Sequence, residues 1–128
     1  GRGVFAMLQC AKCHPAGPID TSAGVSAAEL APSLLLARDR LRHDWVDDWI
    51  KDPLSWVTGT KMPVFFTRLD DGSYSSPLAQ GIDLPMWRGE KERMLRHFES
   101  EAELKEYLAS AENVTNAMRD HIWWGLQR

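Results

Sequence analysis

The apolar positions of this chain recur at the spacing of α-helices, and no segment shows a convincing alternation of apolar and polar residues. A short first helix is predicted over residues 2–13, because Val4, Phe5 and Leu8 would share one face of it. Helical character returns over residues 34–41. Since no strand is predicted, we expect an all-α fold.

The strongest helical pattern follows His43. Four large apolar residues would lie on one face of this helix, and they are Trp45, Val46, Trp49 and Ile50. Aspartates in its first turns would interact favourably with the helix dipole. We expect Pro53 to close the helix, and residues 54–63 are predicted to form a loop.

Two long segments contain turn signals instead of helical patterns. Residues 15–33 are rich in Pro, Gly, Ser and Ala and are predicted to form a loop, with a capping box that begins at Ser26. Residues 64–90 are predicted to be irregular, because proline and glycine recur along them. Within this segment, residues 70–73 read Asp-Asp-Gly-Ser, which predicts a turn.

Three helices are predicted in the last third of the chain. A charged helix runs from Glu90 to about Phe98, and the next begins at a capping box at Ser100 and ends near Ser110. Asn113 or Thr115 is expected to cap the last helix. The apolar residues of that last helix are Met118, Ile122, Trp123 and Leu126.

The first and last helices are expected to pack against each other. Trp123 or Trp124 would then contact Phe5, and Gly1 or Gly3 would permit the two backbones to approach closely. Aromatic side chains at such a contact would bury a large apolar area. This contact would bring both ends of the chain into one core.

Length, composition and charge are those of an ordinary single domain. The chain has 128 residues, and 44% of them are hydrophobic. The formal net charge of −3 does not favour a nucleic-acid partner. No apolar run approaches the roughly 18 residues of a membrane-spanning helix. We therefore expect no nucleic-acid partner and no membrane span in this chain.

Residues 10–14 read Cys-Ala-Lys-Cys-His, which is the C-x-x-C-H signature of covalent haem attachment. The two thiols of such a motif form thioethers with the haem vinyl groups, and the adjacent imidazole becomes the proximal ligand of the iron. The chain has two cysteines, so Cys10 and Cys13 leave no thiol for a disulfide or an iron–sulfur cluster. We therefore predict one covalent haem c, with His14 as an iron ligand.

Two other uses of paired cysteines fit the sequence less well. A thioredoxin-like dithiol would need a βαβ pattern around the motif, and the pattern is missing. A zinc site would need a fourth ligand from His43, His97 or His121, and none of them has the paired spacing usual in zinc sites. We interpret these three histidines as surface or helix-face residues.

Haem iron takes a sixth ligand or leaves an open position. Met62 is the best candidate for this ligand, because it lies between Gly59, which permits a tight turn, and Pro63, which stiffens the exit. The alternative for Met62 is a methionine that fills a gap in the core. Met86 is the second candidate, since it also lies beside a proline.

Taken together, these motifs resemble those of bacterial class I cytochromes c. Residues 53–63 are similar to the axial-methionine loop of that family almost residue for residue. Residues 31–34 (Ala-Pro-Ser-Leu) resemble its Gly-Pro-x-Leu segment. Residues 40–53 are similar to a pattern of Arg-Leu-Arg, Trp-x-x-x-Trp and Asp-Pro in bacterial cytochrome domains. The resemblance covers residues 1–66 well and the last helix loosely.

The resemblance implies roles for further residues around the haem. The carbonyl of Pro32 would accept a hydrogen bond from the proximal His14, and Leu34 would pack on the haem. Trp49 and Trp56 fall where the family places aromatic residues that line the pocket. All of these residues would therefore belong to the cofactor-binding site.

Two groups of side chains have two interpretations each. Arg40 and Arg42, together with Arg38, are candidates for pairing with the haem propionates, because arginine binds carboxylates with two hydrogen bonds. The alternative is a solvated helix face. The tryptophans could form an electron path through the protein, and the plainer interpretation is core packing and shielding of the haem.

The resemblance implies an electron carrier or electron-transfer domain, and not an enzyme. Iron held by His14 and Met62 would exchange single electrons with redox protein partners or with other domains of a larger protein. Haem attachment of this type takes place outside the bacterial cytoplasm, so a periplasmic or otherwise extracytoplasmic location is expected. Because the sequence opens close to the motif without a signal peptide, we expect a mature protein or a domain cut from a longer exported one.

One long segment departs from the family pattern. The family usually passes from the methionine loop to the last helix within a short stretch, whereas residues 65–114 intervene here. We expect a single cytochrome c domain over residues 1–128, in which this partly helical insertion covers the haem edge or forms a partner surface. Two rival functions are a haem domain with an open distal site that binds a small ligand or reduces a substrate, and a structural module whose haem nucleates folding.

Overall fold

A computed structural model of the chain describes residues 1–15 and 31–126. The described residues are mostly helical, as predicted, and form eight α-helices: α1 (Arg2–Met7), α2 (Ala37–Arg40), α3 (His43–Lys51), α4 (Pro53–Trp56), α5 (Leu78–Gly81), α6 (Arg88–Leu95), α7 (Glu101–Ala109) and α8 (Ala111–Asp120). Other helical turns are the 3₁₀ turns Cys10–Lys12, Leu34–Leu36 and Pro85–Trp87 and the π-helical turn His121–Gly125. The capping box predicted at Ser26 lies outside the described residues. Within the part of the chain that the structure describes, no helix combines the length and apolar character needed to cross a membrane.

Helix α8 packs against three other helices, α1, α3 and α7. Its buried side chains recur at helical spacing and continue into the π-helical turn: Val114, Thr115, Met118 and Ile122. The predicted apolar face of α3 is also observed, with Val46 and Ile50 buried and its two tryptophans half-buried. The core is therefore assembled around α8.

The predicted close approach of the first and last helices is present at Gly1. A Cβ atom at this position would collide with the backbone carbonyl oxygen of Ala117 on α8. Gly3 lies instead against Met94 on α6, where a Cβ would come within 3.2 Å of the methionine side chain. The two glycines thus let α1 fit against two different helices.

The aromatic partner predicted for Phe5 was wrong. The Phe5 ring contacts His121, with ring centroids 5.0 Å apart. Trp123 contacts the ring of His43 at 5.1 Å, and Trp124 is exposed on the surface. The apolar spacing of the last helix did not reveal that a histidine would face α1, because the π-helical turn changes the direction of the side chains there.

Several predicted helix boundaries also differ from the structure, and the charged helix predicted from Glu90 to about Phe98 is α6, Arg88–Leu95. The first helix ends at Met7, and Gln9 takes a left-handed conformation with φ of 58° before the next turn starts at Cys10. The last helix begins earlier than predicted, because the Ser110 hydroxyl accepts a hydrogen bond from the backbone N–H of Asn113. Thr115 is fully buried inside α8 and does not cap it.

Short elements replace the loop and the irregular segment predicted after Pro53. Helix α4 forms because Asp52 caps it through the N–H of Ser55 and proline occupies its first turn. The turn predicted over residues 70–73 is present, and it connects two strands, Thr67–Arg68 and Tyr74–Ser75, that were not predicted. Strands of two residues are too short to show an alternating pattern.

The 65–114 insertion supplies a large share of the buried core. Helix α5 packs against α7, and the most buried apolar residues of the insertion are at most 4% exposed: Phe66, Leu78, Ile82, Leu104, Leu108 and Val114. These side chains join the same buried cluster as those of α1, α3 and α8. The insertion is therefore part of the folded core and cannot be exchanged for a short linker without opening it.

Ion pairs connect α3 to α8 beside the apolar contact. Lys51, whose side chain is 9% exposed, pairs with Glu112 on α8 and with Asp47 on its own helix. Arg119 on α8 pairs with the same Asp47 at 3.5 Å. These ion pairs favour one register of the two helices, since a shift of either helix would break the contacts of Lys51 with Glu112 and of Arg119 with Asp47.

The role of the insertion in the core can be tested at Leu104. We expect Leu104→Ala to lower the free energy of unfolding by about 2–5 kcal/mol, because the substitution removes a fully buried side chain. The matched control is Leu69→Ala in the hairpin, where the leucine is 46% exposed and a change within about 0.5 kcal/mol is expected. Urea unfolding followed by circular dichroism measures both values. Equal losses in the two variants would contradict the assignment of α7 to the core.

Candidate functional site

The C-x-x-C-H motif forms one tight turn after α1. The backbone N–H groups of Cys13 and His14 both donate to the carbonyl of Cys10, at 3.2 and 3.0 Å. Cys10 is half-buried against the core, Cys13 is exposed, and both are free thiols. The turn therefore presents two thiols and one imidazole within five consecutive residues.

A hydrogen bond holds the His14 ring in place. Its Nδ1 atom lies 2.8 Å from the carbonyl oxygen of Pro32, which is the contact that the family resemblance implies. A carbonyl oxygen can only accept, so this contact places the proton of a neutral imidazole on Nδ1. The other ring nitrogen, Nε2, then carries the lone pair that can bind a metal.

The segment that contains Pro32 is itself fixed to the motif. The N–H of Ala31 donates to the carbonyl of Cys13 at 3.0 Å, and the N–H of Leu34 donates to the carbonyl of Pro15 at 3.2 Å. Leu34 is half-buried and packs against the core. Two backbone bonds therefore flank the side-chain bond of His14 and keep the accepting carbonyl in position.

The loop of Met62 contains the tight turn predicted for it. Gly59 has a φ of 82°, which is the left-handed conformation that favours glycine. The N–H of Met62 donates to the hydroxyl of Thr60 at 3.3 Å. Met62 is half-buried at the edge of the core, whereas Met86 is 71% exposed. Of the two methionines, Met62 is the one held in a defined and partly shielded position.

A contact between Trp49 and Met62 was missed by sequence reasoning. The indole N–H of Trp49 donates to the sulfur of Met62, with 2.9 Å between nitrogen and sulfur. The two residues are 13 positions apart, on α3 and on the loop after α4. The sequence does place Trp49 on the apolar face of a helix before this loop, but spacing alone does not show that its N–H meets a thioether.

The tryptophans of this region form one cluster. The Trp45 ring lies 5.3 Å from that of Trp49 and 5.8 Å from that of Trp56, measured between centroids. Trp56 is still 52% exposed. The cluster therefore extends from Trp49, which contacts the sulfur of Met62, to Trp56 at the surface of the molecule.

The arginines of the predicted cofactor site lie on the surface. Arg40 is exposed, and Arg42 forms an ion pair with Asp44 in which the arginine side chain is 82% exposed. The guanidinium of Arg38 lies over the ring of Trp124, 5.0 Å from its centroid. An ion pair as exposed as that of Arg42 is weak, so its guanidinium can exchange partners at little cost.

The electrostatic setting of Cys10 differs from that of a redox dithiol. Burial raises the pKa of its thiol to about 11, and the nearby Cys13 adds to the shift. Catalytic dithiols have lowered pKa values, because the thiolate is their nucleophile. Within residues 1–15 and 31–126, no three or more His, Cys, Asp or Glu side chains form a cluster that could hold a metal ion.

Exposed apolar side chains are concentrated beside the candidate ligands in the sequence. Six of the ten large hydrophobic residues exposed in the described chain come from residues 36–64: Leu36, Leu41, Leu54, Trp56, Val57 and Val64. Exposed apolar side chains of this kind would leave water if a large apolar group covered them. The donor set of two thiols, one oriented imidazole and one thioether also fits a c-type haem.

Comparisons of the chain with protein-family models, with curated proteins and with solved structures find no match.

Proposed function

We propose that this chain carries one covalent haem c and transfers single electrons. The observation that carries the proposal is the 2.8 Å hydrogen bond from His14 to the carbonyl of Pro32. It fixes the plane of the imidazole and leaves Nε2 as the ring nitrogen free to bind a metal. When bound, the haem supplies the one-electron couple of its iron. Cys10 and Cys13 would tether it from the same turn.

Met62 is the proposed sixth ligand. Its thioether is partly shielded and is held by a turn at Gly59 and by the indole of Trp49. A protein side chain in this position excludes water and small molecules from the sixth site of the iron. The proposal therefore favours an electron carrier over a haem domain that binds a ligand or reduces a substrate.

The remaining predicted site residues would surround the haem. Leu34, Trp49 and Trp56 would cover its apolar faces and keep water away. Arg40 or Arg42 would pair with its carboxylates, since both guanidinium groups are accessible at the surface. The partners in this proposal are redox proteins or further domains of a larger protein, in a periplasmic or otherwise extracytoplasmic location.

Covalent attachment is tested by replacing the two thiols. We expect the Cys10→Ala/Cys13→Ala variant to release its haem into acidified organic solvent, because no thioether can form. The matched control is His14→Ala, which should keep the haem covalently bound and change its absorption spectrum, since only the iron ligand is lost. Full retention of haem by the double variant after extraction would refute the tether.

Axial ligation is tested by comparing two methionine substitutions. We expect Met62→Ala to remove the weak near-infrared band of thioether-ligated ferric haem, to lower the reduction potential and to let carbon monoxide bind the ferrous iron. These changes follow because a neutral thioether favours the ferrous state and blocks the sixth position. Met86→Ala is the control and should leave the band, the potential and the closed site unchanged.

Two results of this comparison would count against the proposal. Loss of the band in Met86→Ala with retention in Met62→Ala would show that Met62 is not the sixth ligand. Electron transfer by a haem whose sixth position is occupied would still stand. Rapid binding of carbon monoxide by the unmodified protein would instead favour an open distal site and refute the electron-carrier function.

A further inference from the structure

The segment that contains Met62, residues 54–65, is anchored at both ends by buried side chains. Pro53 is fully buried at the start of α4, and Phe66 is 1% exposed just before the hairpin. Every residue between these two is exposed or half-buried. A segment with few buried side chains opens easily unless its ends are fixed. The contacts at the base of this Met62 segment therefore contribute to how firmly the thioether is presented.

The hairpin that follows Phe66 connects the exit of the Met62 segment to its entry. In the register of the two strands, Tyr74 lies opposite Arg68, at the exit. The hydroxyl of Tyr74 donates a hydrogen bond to Oδ2 of Asp52, at 3.3 Å, at the entry. Burial and the negative charge of Asp52 raise the pKa of Tyr74, so the hydroxyl keeps its proton and remains a donor at neutral pH. One side-chain bond therefore closes the base of the segment.

Asp52 uses both oxygens of its carboxylate at this point. Its Oδ1 atom accepts from the backbone N–H of Ser55 at 3.3 Å and caps α4, while Oδ2 accepts from Tyr74. The hydroxyl of Ser55 donates in return to the backbone carbonyl of Asp52 at 2.9 Å. The carboxylate thus links the hairpin to the first turn of α4.

Hydrogen bonds continue from α4 to Met62. The N–H of Val57 donates to the carbonyl of Pro53 at 3.0 Å, and the N–H of Thr60 donates to the carbonyl of Val57 at 3.3 Å. The hydroxyl of Thr60 then accepts from the N–H of Met62, also at 3.3 Å. A displacement of Asp52 can therefore reach Met62 through consecutive bonded turns.

The strand that carries Tyr74 is itself held from its other side. Its next residue, Ser75, pairs in an antiparallel bridge with Ser110, the residue that caps α8. The turn of the hairpin is closed by Asp71, whose carboxylate accepts from the N–H of Ser73 at 2.9 Å. The donor of the bond to Asp52 is therefore fixed to the core of the protein.

We propose that Tyr74 is a positioning residue, supplied by the 65–114 insertion, that closes the base of the Met62 segment through Asp52 and thereby holds the thioether at the sixth position of the iron. This inference rests on the proposed function, in which Met62 is the sixth ligand. Closing a flexible segment removes conformational freedom before the metal binds, so less freedom is lost on ligation. The insertion would thus act on the ligand as well as on the core.

The substitution Tyr74→Phe tests the inference because it keeps the aromatic ring and removes only the hydroxyl. We expect carbon monoxide to displace Met62 from ferrous iron about two- to tenfold more readily, which is the range expected for loss of one hydrogen bond. The measurement is a titration of the ferrous protein with carbon monoxide, followed by absorption spectroscopy.

Tyr107→Phe is the matched control. The hydroxyl of Tyr107 also donates a bond of 3.3 Å, to the carbonyl of Asn113, and this bond joins α7 to α8. We expect the control to lower the stability of the protein to a similar extent and to leave the displacement by carbon monoxide unchanged. Equal displacement in the two variants, or no change in Tyr74→Phe, would overturn the inference.

The route through Asp52 is tested by a second substitution. Asp52→Ser keeps an oxygen that can cap α4 and has no second carboxylate oxygen for Tyr74. If Tyr74 acts through Asp52, Tyr74→Phe should add little to the displacement by carbon monoxide in the Asp52→Ser background. A full additional effect in the double variant would overturn this route.

Hydrogen exchange separates the inference from the proposed function. The backbone N–H groups of Val57 and Thr60 should exchange with solvent deuterium faster in Tyr74→Phe than in the unmodified protein, and Tyr107→Phe should leave them unchanged. Faster exchange in a protein that lacks the thioether band supports closure by Tyr74 and refutes only Met62 as the iron ligand. Unchanged exchange of both groups overturns the closure, whether or not the band is present.

Discussion

The burial of one apolar stripe of α8 against α1, α3 and α7 is the interaction on which the rest of the molecule depends. Helix α1 leads directly into the turn of Cys10, and α3 carries Trp49. The turn that contains Cys10 and the helix that carries Trp49 are therefore both positioned by packing against α8. The ion pairs of Lys51 and Arg119 add a constraint on register, because a displaced helix would break the contacts of Lys51 with Glu112 and of Arg119 with Asp47.

The candidate ligands are held by different kinds of contact. His14 is fixed by a backbone carbonyl, whose own segment is bonded to the motif by the N–H groups of Ala31 and Leu34. Met62 is fixed by a side-chain donor, Trp49, and by a glycine turn. Ligands that are already oriented lose little conformational freedom when a metal binds, which favours tight binding and one coordination geometry.

The segment of residues 65–114 adds buried side chains to the core built around α8. Its helices are highly charged, yet Leu104 and Leu108, one turn apart on α7, are fully buried. Together with Phe66 and Ile82 they extend the cluster built by α8. The insertion therefore contributes to the stability of the core on which the candidate site rests.

Local spacing in the sequence was sufficient to predict the mostly helical class, the apolar face of α3 and the turn at Gly59, because each depends on residues within a few positions of one another. Contacts between distant residues needed the tertiary structure. The packing of Phe5 on His121 and the bond from Trp49 to Met62 depend on how α1, α3 and α8 are oriented, and no local pattern encodes that orientation. The hairpin and the start of α8 at Ser110 escaped prediction for a related reason, since short strands and competing caps are decided by the surrounding packing and not by propensity.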